Sequence, residues 1–491
     1  MLALVLILGS LAAAQTVAPP RQMTYVDSRV VLYPAPDGEP LSADYTLEVN
    51  GRPVPVYTAR TADPPFDYLD HGGTYSFAYF DFSGRVTLTV RSSRMLQSAR
   101  IRPLSRRIKH SLVDGYTTTI TLDEPANLSL EPAGRNRPLL IFANPLEKDP
   151  PDKSAPNVIY FGPGVHEPAG GVIRLKSGQT LYIAGGAVVK GAVEVLDAEN
   201  VTLRGRGILC GSAWPHLKGP ARRLLGLRSC RNVTIEGMIL RGSYAWTLVP
   251  ENCEGVTIRG VKICGGRVWN DDGINPVNSR RVLIRDCFIR TDDDCIAAKG
   301  LNREWGDVDD VRVERSVLWC DRARVVLLGH ESRARHMRNI VFRDIDVIHF
   351  VQSPFVLEPG EEMILENITF EDVRLEGVGQ GELARIRPRD QPVHGQQSAG
   401  THTQHSLPER RGYGRAGPVR HHGRELRQQL PCRGCDLRER SHCRRAAAGW
   451  LAPGQGGKSS GGQSRAARAL ARGMVHRRLD AASVAEAPSG Q

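Results

Sequence analysis

The chain has 491 residues, of which 65 are basic and 53 are acidic, giving a formal net charge of +12. The segment from Pro388 to Gln491 holds 18 basic and 7 acidic residues, so it carries +11 of this charge and the rest of the chain carries only +1. Most of the chain therefore lacks the charge surplus that is typical of nucleic-acid-binding and membrane-surface proteins, and we expect neither partner.

The chain begins with an apolar run over residues 2–14 that ends in three alanines. The run is too short to span a bilayer, and its small residues are typical of a cleavage site. We therefore predict a signal peptide over residues 1–14 and a secreted protein, extracellular or periplasmic. The rest of the sequence contains no apolar run long enough for a transmembrane helix.

Residues 22–145 are rich in short β patterns separated by Pro and Gly turns. Examples are the alternating segments 29–33, 45–49 and 85–90. This pattern predicts a small antiparallel β-sandwich. The charged, proline-rich stretch 145–156 is typical of a linker.

Residues 155–387 contain a repeat in which a polar step leads into alternating apolar residues. Successive repeats begin 23 to 32 residues apart, which is the length of one coil with three short strands. A leucine-rich repeat would need a Leu-x-x-Leu-x-Leu frame, which is missing. The sequence therefore predicts an all-β fold: a right-handed parallel β-helix preceded by the small sandwich. The repeats begin at Asn200, Asn232, Gly255, Arg281, Asp310, Asn339 and Asn367.

Two acidic clusters lie one repeat apart, at Asp271–Asp272 and at Asp292–Asp294. Asp272 and Asp294 are separated by 22 residues, so one coil would place them a strand spacing apart, roughly 4.8 Å. Like charges at that distance repel, so the fold alone does not call for them, whereas glycoside hydrolysis uses paired carboxyl groups. The alternatives are a solvated turn and a set of calcium ligands.

The acidic segment resembles glycoside hydrolase family 28, the polygalacturonase-type enzymes. The family pattern is Asn-x-Asp-Gly followed one coil later by Asp-Asp-Cys, and residues 270–273 and 293–295 fit both elements. A resemblance to family 49, the dextranase-like enzymes, is the runner-up, because that family also has a sandwich before its β-helix and a similar acidic triplet.

The resemblance implies a role for each acid. Asp293 is the general acid, while Asp272 and Asp294 hold the attacking water, so that the anomeric carbon is inverted. Asp271 and Asp292 remain substitutes, because neighbours in a regular strand face opposite sides. No metal and no cofactor are expected. The candidate substrate-binding residues are Asn270, Lys299, Arg324 and His330.

Two family features are displaced in this sequence. The register places Arg324 where the family has a histidine, and His330 follows several residues later. The Arg-x-Lys element, which grips a uronate carboxylate in the family, has no basic residue at 355–358, and Arg385-Ile386-Arg387 arrives one coil late. A neutral glucan is therefore an alternative to a pectic substrate.

Aromatic residues near the repeats offer further substrate contacts. Sugar rings stack on exposed tryptophans, although core packing is the alternative role. The candidates are Trp246, Trp269, Trp305 and Trp319.

The leading prediction is a monomeric, secreted hydrolase of a pectin or polygalacturonate-type polysaccharide. The alternatives are a dextranase-like hydrolase of a neutral glucan, a uronate lyase or epimerase, and a non-catalytic glycan-binding β-helix. Loss of activity in an aspartate variant would exclude the last, and ultraviolet-absorbing unsaturated products would identify a lyase.

The segment 388–491 differs in composition from everything before it. It contains no Ile, Phe or Asn, and only one of its 18 basic residues is lysine. We interpret it as a disordered Arg-rich tail produced by a frameshift in a GC-rich gene, with a genuine disordered tail as the alternative. Its Cys432-x-x-Cys435 lacks a surrounding fold to hold zinc. Seven further cysteines lie in the repeats, where we expect small buried side chains or disulfides.

Overall fold

The computed structural model describes residues 28–63, 72–360, 363–377 and 382–386, and the backbone of 477–481. The predicted signal peptide at 1–14 lies outside the described residues. So does the predicted tail at 388–491, apart from the strand Arg477–Ala481.

The N-terminal part of the chain forms eleven strands and one 3₁₀ turn, Leu104–Arg106. The strands are β1 Arg29–Val31, β2 Tyr45–Val49, β3 Arg52–Val54, β4 Tyr57–Thr61, β5 Gly73–Ser83, β6 Val86–Ser92, β7 Arg100–Arg102, β8 Lys109–Leu112, β9 Thr117–Leu122, β10 Ala126–Glu131 and β11 Leu139–Pro145.

These strands form two sheets that pack face to face. One sheet has the order β1-β5-β11-β10-β7, with β4 also on β5, and the other has the order β3-β2-β6-β9-β8. All pairs are antiparallel except β5 with β11. Side chains from both sheets, among them Leu47, Phe80 and Ile141, share one buried core. The alternating pattern of the sequence thus produces a sandwich, because each strand buries one face against the other sheet.

The strands that follow make up the coils of the β-helix. They are β12 Val158–Phe161, β13 Gly164–His166, β14 Val172–Leu175, β15 Thr180–Ile183, β16 Ala187–Lys190, β17 Ala192–Leu196, β18 Glu199–Gly205, β19 Ile208–Cys210, β20 Leu225–Arg228, β21 Arg231–Glu236, β22 Ile239–Arg241, β23 Leu248–Glu251, β24 Glu254–Arg259, β25 Lys262–Cys264, β26 Arg280–Arg285, β27 Phe288–Thr291, β28 Ile296–Ala298, β29 Val308–Cys320, β30 Val326–Leu328, β31 His336–His349, β32 Phe355–Leu357, β33 Ile364–Leu375 and β34 Ala384–Ile386. Two more 3₁₀ turns are Ala169–Gly171 and Arg303–Trp305.

Every pairing between these coils is parallel, which confirms the predicted right-handed parallel β-helix. In the first coils, the first face of the β-helix is the stack of strands β12, β15, β18, β21, β24 and β26. The second face is the stack β13, β16, β19, β22, β25 and β27. The long strands β29, β31 and β33 run through both faces. The third face contains two stacks, β14-β17-β20-β23 and β28-β30-β32-β34, joined by bridges at Ile274 and Val277. Inward-facing Val, Ile and Leu from all three faces form one continuous core.

The corner before the first face explains the polar step of the repeat. The residue there adopts a left-handed conformation in coil after coil, with φ of +57° at Asn200, +53° at Asn232 and +55° at Asn367. Asparagine tolerates this conformation better than most residues. Asn232 Nδ2 donates to Asn200 Oδ1 on the adjacent coil at 3.4 Å. These asparagines are therefore turn residues that open strands.

The sandwich packs its second face onto the β-helix. Tyr75, Phe77 and Phe142 of the first sheet contact a β-helix cluster that includes Phe288 and Trp319. Strand β5 is consequently buried on both faces. The seven cysteines of the described repeat are all buried and free. The short strand β35, Arg477–Ala481, pairs in parallel with β33.

Candidate active site

The two acidic clusters lie on adjacent coils. Ile274 bridges in parallel to Ile296, and the amide of Gly273 donates to the carbonyl of Asp294 at 2.8 Å. This register sets Asp272 beside Asp294 at the corner that follows β27. The structure therefore brings together the carboxyl groups that lie 22 residues apart in sequence.

Asp271 supports the backbone of this corner. Its carboxylate is fully buried and accepts three backbone N–H groups, from Gly266 at 2.6 Å, Arg267 at 3.0 Å and Asp292 at 2.8 Å. Burial raises the pKa of Asp271, and the three donors oppose that shift. Because both carboxylate oxygens are engaged, Asp271 holds the loop and the following coil in place rather than facing a substrate.

Replacing Asp271 by Asn should destabilise the fold without removing a reacting group. The amide has only one acceptor oxygen, and its NH₂ group would face N–H donors in a buried position. We expect a loss of about 2 kcal/mol or more in the free energy of unfolding. Denaturant unfolding of Asp271→Asn measures this loss, and a variant as stable as the parent would show that the corner does not depend on these bonds.

Asp272 differs from its neighbour in having a free carboxylate oxygen. The side chain is buried, and its Oδ2 accepts from Asn275 Nδ2 at 2.7 Å. Its Oδ1 has no hydrogen-bond partner among the described residues. Burial, together with the charge of Asp293, raises the pKa of Asp272 to about 6, and Lys299 acts in the opposite direction. Such a group is ionised at neutral pH and can accept a proton.

The triplet Asp292–Asp294 lies in a bend rather than in a regular strand. Asp293 Oδ1 accepts the amide of Asp294 at 3.0 Å, and Asn270 Nδ2 donates to Asp293 Oδ2 at 3.4 Å. The Asp293 side chain keeps 15% of its surface exposed, against 2% for Asp294. The bend therefore leaves Asp293 as the member of the triplet most accessible to a polymer.

Each buried acid of the triplet is matched by an arginine from the next coil. Arg322 Nε lies 2.6 Å from Asp292 Oδ2, and Arg324 Nε lies 3.0 Å from Asp294 Oδ1. Burial raises the pKa of Asp292 to about 6 and that of Asp294 well above its ordinary value, and in both cases the arginine opposes the shift. Arg324 thus forms an ion pair with a carboxylate of the site.

Lys299 and His330 lie at the edge of the same cluster. Lys299 Nζ is 3.1 Å from Glu331 Oε2 and 4.3 Å from the ring centre of Trp246. The Nδ1 of His330 lies 3.1 Å from Glu358 Oε2, and burial lowers the pKa of His330. Glu358 therefore holds His330 at the edge of the cluster.

The four tryptophans have different environments. Trp319 is fully buried, donates to Asp321 and packs under Arg290, so it belongs to the interdomain core and cannot stack on a sugar. Trp246 is half-buried under two cations, Arg223 at 3.9 Å and Lys299 at 4.3 Å. Trp305 is half-buried. Trp269, next to Asn270, is 62% exposed and has the accessible ring that a sugar platform needs.

Sequence inspection did not identify Arg322, Asn275 or Glu331 as members of the site. The contact of Arg322 could have been predicted from the sequence. Arg322 follows Asp292 by 30 residues, about one coil, and residues one coil apart lie side by side. Asn275 and Glu331 gave no signal, because their contacts depend on side-chain geometry at the corners.

Among the described residues, no group of three or more His, Cys, Asp or Glu side chains is arranged to hold a metal ion. The described part of the chain also contains no helix that is long and apolar enough to cross a membrane.

Comparisons with known proteins agree with the geometry. The model of the family "Glycosyl hydrolases family 28" matches residues 183–310, which include both acidic clusters. Residues 183–310 are therefore similar to the family 28 glycoside hydrolases. This match confirms the resemblance drawn from the sequence and the assignment of this segment to the glycoside hydrolases.

Two curated proteins are similar to parts of the chain. An isopullulanase from Aspergillus niger is 26% identical over 344 residues, 56% of this chain and 58% of the relative. A probable polygalacturonase from Arabidopsis thaliana is 36% identical over 104 residues, 21% of this chain and 23% of the relative. The chain thus spans less than two thirds of either relative. The isopullulanase supports the runner-up resemblance to family 49.

A solved structure with a similar coil is Dex49A from Penicillium minioluteum. It is 17% identical, the match covers 71% of this chain and 83% of that one, and the TM-score is 0.49. An exopolygalacturonase from Thermotoga maritima is 20% identical, with coverage of 47% and 67% and a TM-score of 0.36.

Proposed function

We propose that the chain hydrolyses O-glycosidic bonds of a polysaccharide with inversion at the anomeric carbon. The observation that carries this proposal is the acidic corner, where Asp272 and Asp294 lie side by side on adjacent coils and the more exposed Asp293 accepts the amide of Asp294. The family 28 segment supports it, because its match includes all three residues.

Asp293 acts as the general acid. In its protonated form it gives a proton to the glycosidic oxygen as the bond from that oxygen to the anomeric carbon breaks. Its exposure allows contact with a polymer lying along the coil, and Asn270 orients the carboxyl group through the 3.4 Å hydrogen bond.

Asp272 and Asp294 act on the water. The oxygen of the water bonds to the anomeric carbon from the face opposite the leaving group, and its proton passes to a carboxylate. Asp272 Oδ1 is buried and lacks a partner among the described residues, so it is an acceptor whose hydrogen-bonding capacity these residues leave unused. Arg324 opposes the rise in the pKa of Asp294 and so favours the ionised form, in which Asp294 orients the water.

The substrate that we propose first is a polygalacturonate-type polysaccharide, on the strength of the family 28 match. The second candidate is a neutral glucan, favoured by two observations. The cations nearest the acids are paired, Lys299 with Glu331 and Arg324 with Asp294, and the strand Phe355–Leu357 offers no basic side chain. The similarity to an isopullulanase points in the same direction.

We also propose that the protein is secreted, on the basis of the apolar run at residues 2–14. Export is consistent with an extracellular polymer as substrate, since a polysaccharide does not enter the cell intact.

Release of new reducing ends from polygalacturonate, rhamnogalacturonan, dextran and pullulan tests the activity. The expected result is release from one of these polymers without ultraviolet-absorbing unsaturated products. Unsaturated products would establish a lyase, and a folded protein that releases nothing from any of them would favour a non-catalytic role.

The pH profile tests the role of Asp272. A base must be ionised, and the pKa of Asp272 is raised to about 6, so the base is lost by protonation as the pH falls through that value. We expect kcat/KM to decrease roughly tenfold per pH unit below about pH 6. An acidic limb near pH 4 would show that the base has an ordinary carboxylate pKa and would contradict the assignment.

A further inference from the structure

A cavity lies between the sandwich and the β-helix, and the aspartates of the candidate active site are not part of its lining. Its volume is about 590 Å³, and its walls come from β10, β11 and the following loop on one side and from the ends of β18, β21, β24 and β26 on the other. On the coil of β26 the cavity touches Arg285 before β27, whereas Asp292 follows that strand. The two sites therefore occupy different corners of the same coil.

The lining of this interdomain cavity is strongly basic. Eight of its residues are Arg or Lys and three are Asp or Glu. Some of the cations are neutralised, such as Arg315, which makes a bidentate pair with Asp286 at 2.8 and 2.9 Å. Others are paired less completely. Arg204 donates to the backbone carbonyls of Lys148 and Asp149 and lies 3.5 Å from Glu147, Arg259 Nη2 donates to Glu236 at 2.8 Å, and Arg285 Nε is 3.8 Å from Asp286.

Three guanidinium groups in these walls have unused donors. The Nε atoms of Arg204, Arg259 and Arg285 are buried and have no hydrogen-bond partner in the described chain. A buried donor without a partner is energetically unfavourable. A carboxylate in the cavity would lie beside guanidinium groups whose side chains are partly exposed, 43% for Arg259 and 35% for Arg285, and guanidinium binds such anions well.

The floor of the cavity holds a buried lysine. Lys262 Nζ donates to Asn144 Oδ1 and, at 2.6 Å, to the carbonyl of Gly260. Burial and the neighbouring Arg206 lower the pKa of Lys262 to about 7. An anion above this lysine would favour its charged form, so the floor and the walls select the same kind of ligand.

The lining contains no Phe, Tyr, Trp or His. Bases of a nucleic acid would find no ring to stack on, and a neutral sugar would find no platform. Recognition must therefore depend on charge and hydrogen bonds within a space large enough for a small ligand.

We propose that the interdomain cavity binds a carboxylate-bearing oligosaccharide, as a second glycan site besides the aspartate corner. The site would hold an acidic polymer against the enzyme through its uronate groups. The choice of an acidic polymer rests on the proposed function, but binding in this cavity does not require hydrolysis.

Calorimetric titration of the Asp293→Asn chain with trigalacturonate tests the site without turnover. We expect two binding events per chain, one of which is weakened at least tenfold by the double change Arg259→Gln and Arg285→Gln. Maltotriose, a neutral trisaccharide, should show no binding that depends on these arginines. The control is Arg343→Gln, which lies in the same row of the first face, outside the cavity, and should leave both events unchanged.

Both cavity arginines have partly exposed side chains, and the melting temperature of the double variant shows whether it remains folded. A single binding event that the double change leaves unaltered would overturn the proposal, as would an equal dependence on these arginines for maltotriose. Absence of hydrolysis in the parent chain would contradict the proposed function and leave this binding result standing.

Discussion

Asp293→Asn is expected to lower kcat/KM on the preferred polymer by about 10³-fold, within the 10²- to 10⁴-fold that general acid catalysis contributes. The amide cannot give a proton to the leaving oxygen, but it has the same shape, and its one carbonyl oxygen can still accept the Asp294 amide. Binding of the polymer should therefore be retained, so the loss should appear in kcat more than in KM. Initial rates of reducing-end release over a range of polymer concentrations measure both constants.

The matched control for this variant is Asp310→Asn. Asp310 is a half-buried corner residue with φ of +52°, a conformation that asparagine also adopts, and its carboxylate accepts from the nearby Arg312 at 2.9 Å. Its kinetic constants should equal those of the parent. An Asp293→Asn chain that keeps full activity while folded would remove Asp293 from the role of general acid and return Asp292 to consideration.

Asp272→Asn is expected to abolish hydrolysis and, at the same time, to stabilise the fold at neutral pH. The pKa of Asp272 is about 6 in the folded chain, against an ordinary value of 3.8. Since the folded state holds the proton more tightly, protonation contributes stability that is fully present below about pH 3.8 and is lost as the pH rises through 6. At pH 7.5 the ionised carboxylate therefore costs the fold about 2 to 3 kcal/mol. Asparagine removes this cost and can still accept from Asn275.

Chemical unfolding at pH 7.5 and at pH 4 measures this effect. The variant should exceed the parent at pH 7.5 and match it near pH 4. Its immediate neighbour should behave in the opposite way, because Asp271→Asn loses backbone hydrogen bonds. A variant at position 272 that is less stable than the parent at pH 7.5 would show that its carboxylate is held by favourable contacts, which would contradict its assignment as a base kept at a cost in stability.

The coil and its acidic corner were predictable because both depend on local pattern and spacing. The repeated polar step marks the left-handed corner residue, as at Asn200 and Asn232, and the 22-residue interval between Asp272 and Asp294 is the length of one coil. These signals can be read from a single sequence because each coil of a β-helix contacts mainly the coils next to it in the chain.

The different roles of neighbouring acidic residues could not be predicted from the sequence. Asp271 and Asp272 are equivalent in the sequence, and only the turn at Gly266 and Arg267 decides which of them accepts backbone N–H groups. The same holds for the tryptophans, since burial of Trp319 results from the docking of the sandwich. Strand β5 is buried on both faces, but the β-helix surface that covers its second face lies more than a hundred residues further along the chain. Contacts between distant segments determine these features, and local pattern does not encode them.

The stereochemistry and oxygen source of the first product test the central claim most directly. Hydrolysis in ¹⁸O-labelled water, followed by proton NMR within the first minutes and by mass spectrometry, reports both. We predict that the new reducing end carries ¹⁸O. It should first appear as the anomer whose configuration is opposite to that of the bond that was cut. A first product with retained configuration, or an unsaturated product without the label, would contradict a corner in which Asp272 and Asp294 direct a water molecule and Asp293 supplies the proton.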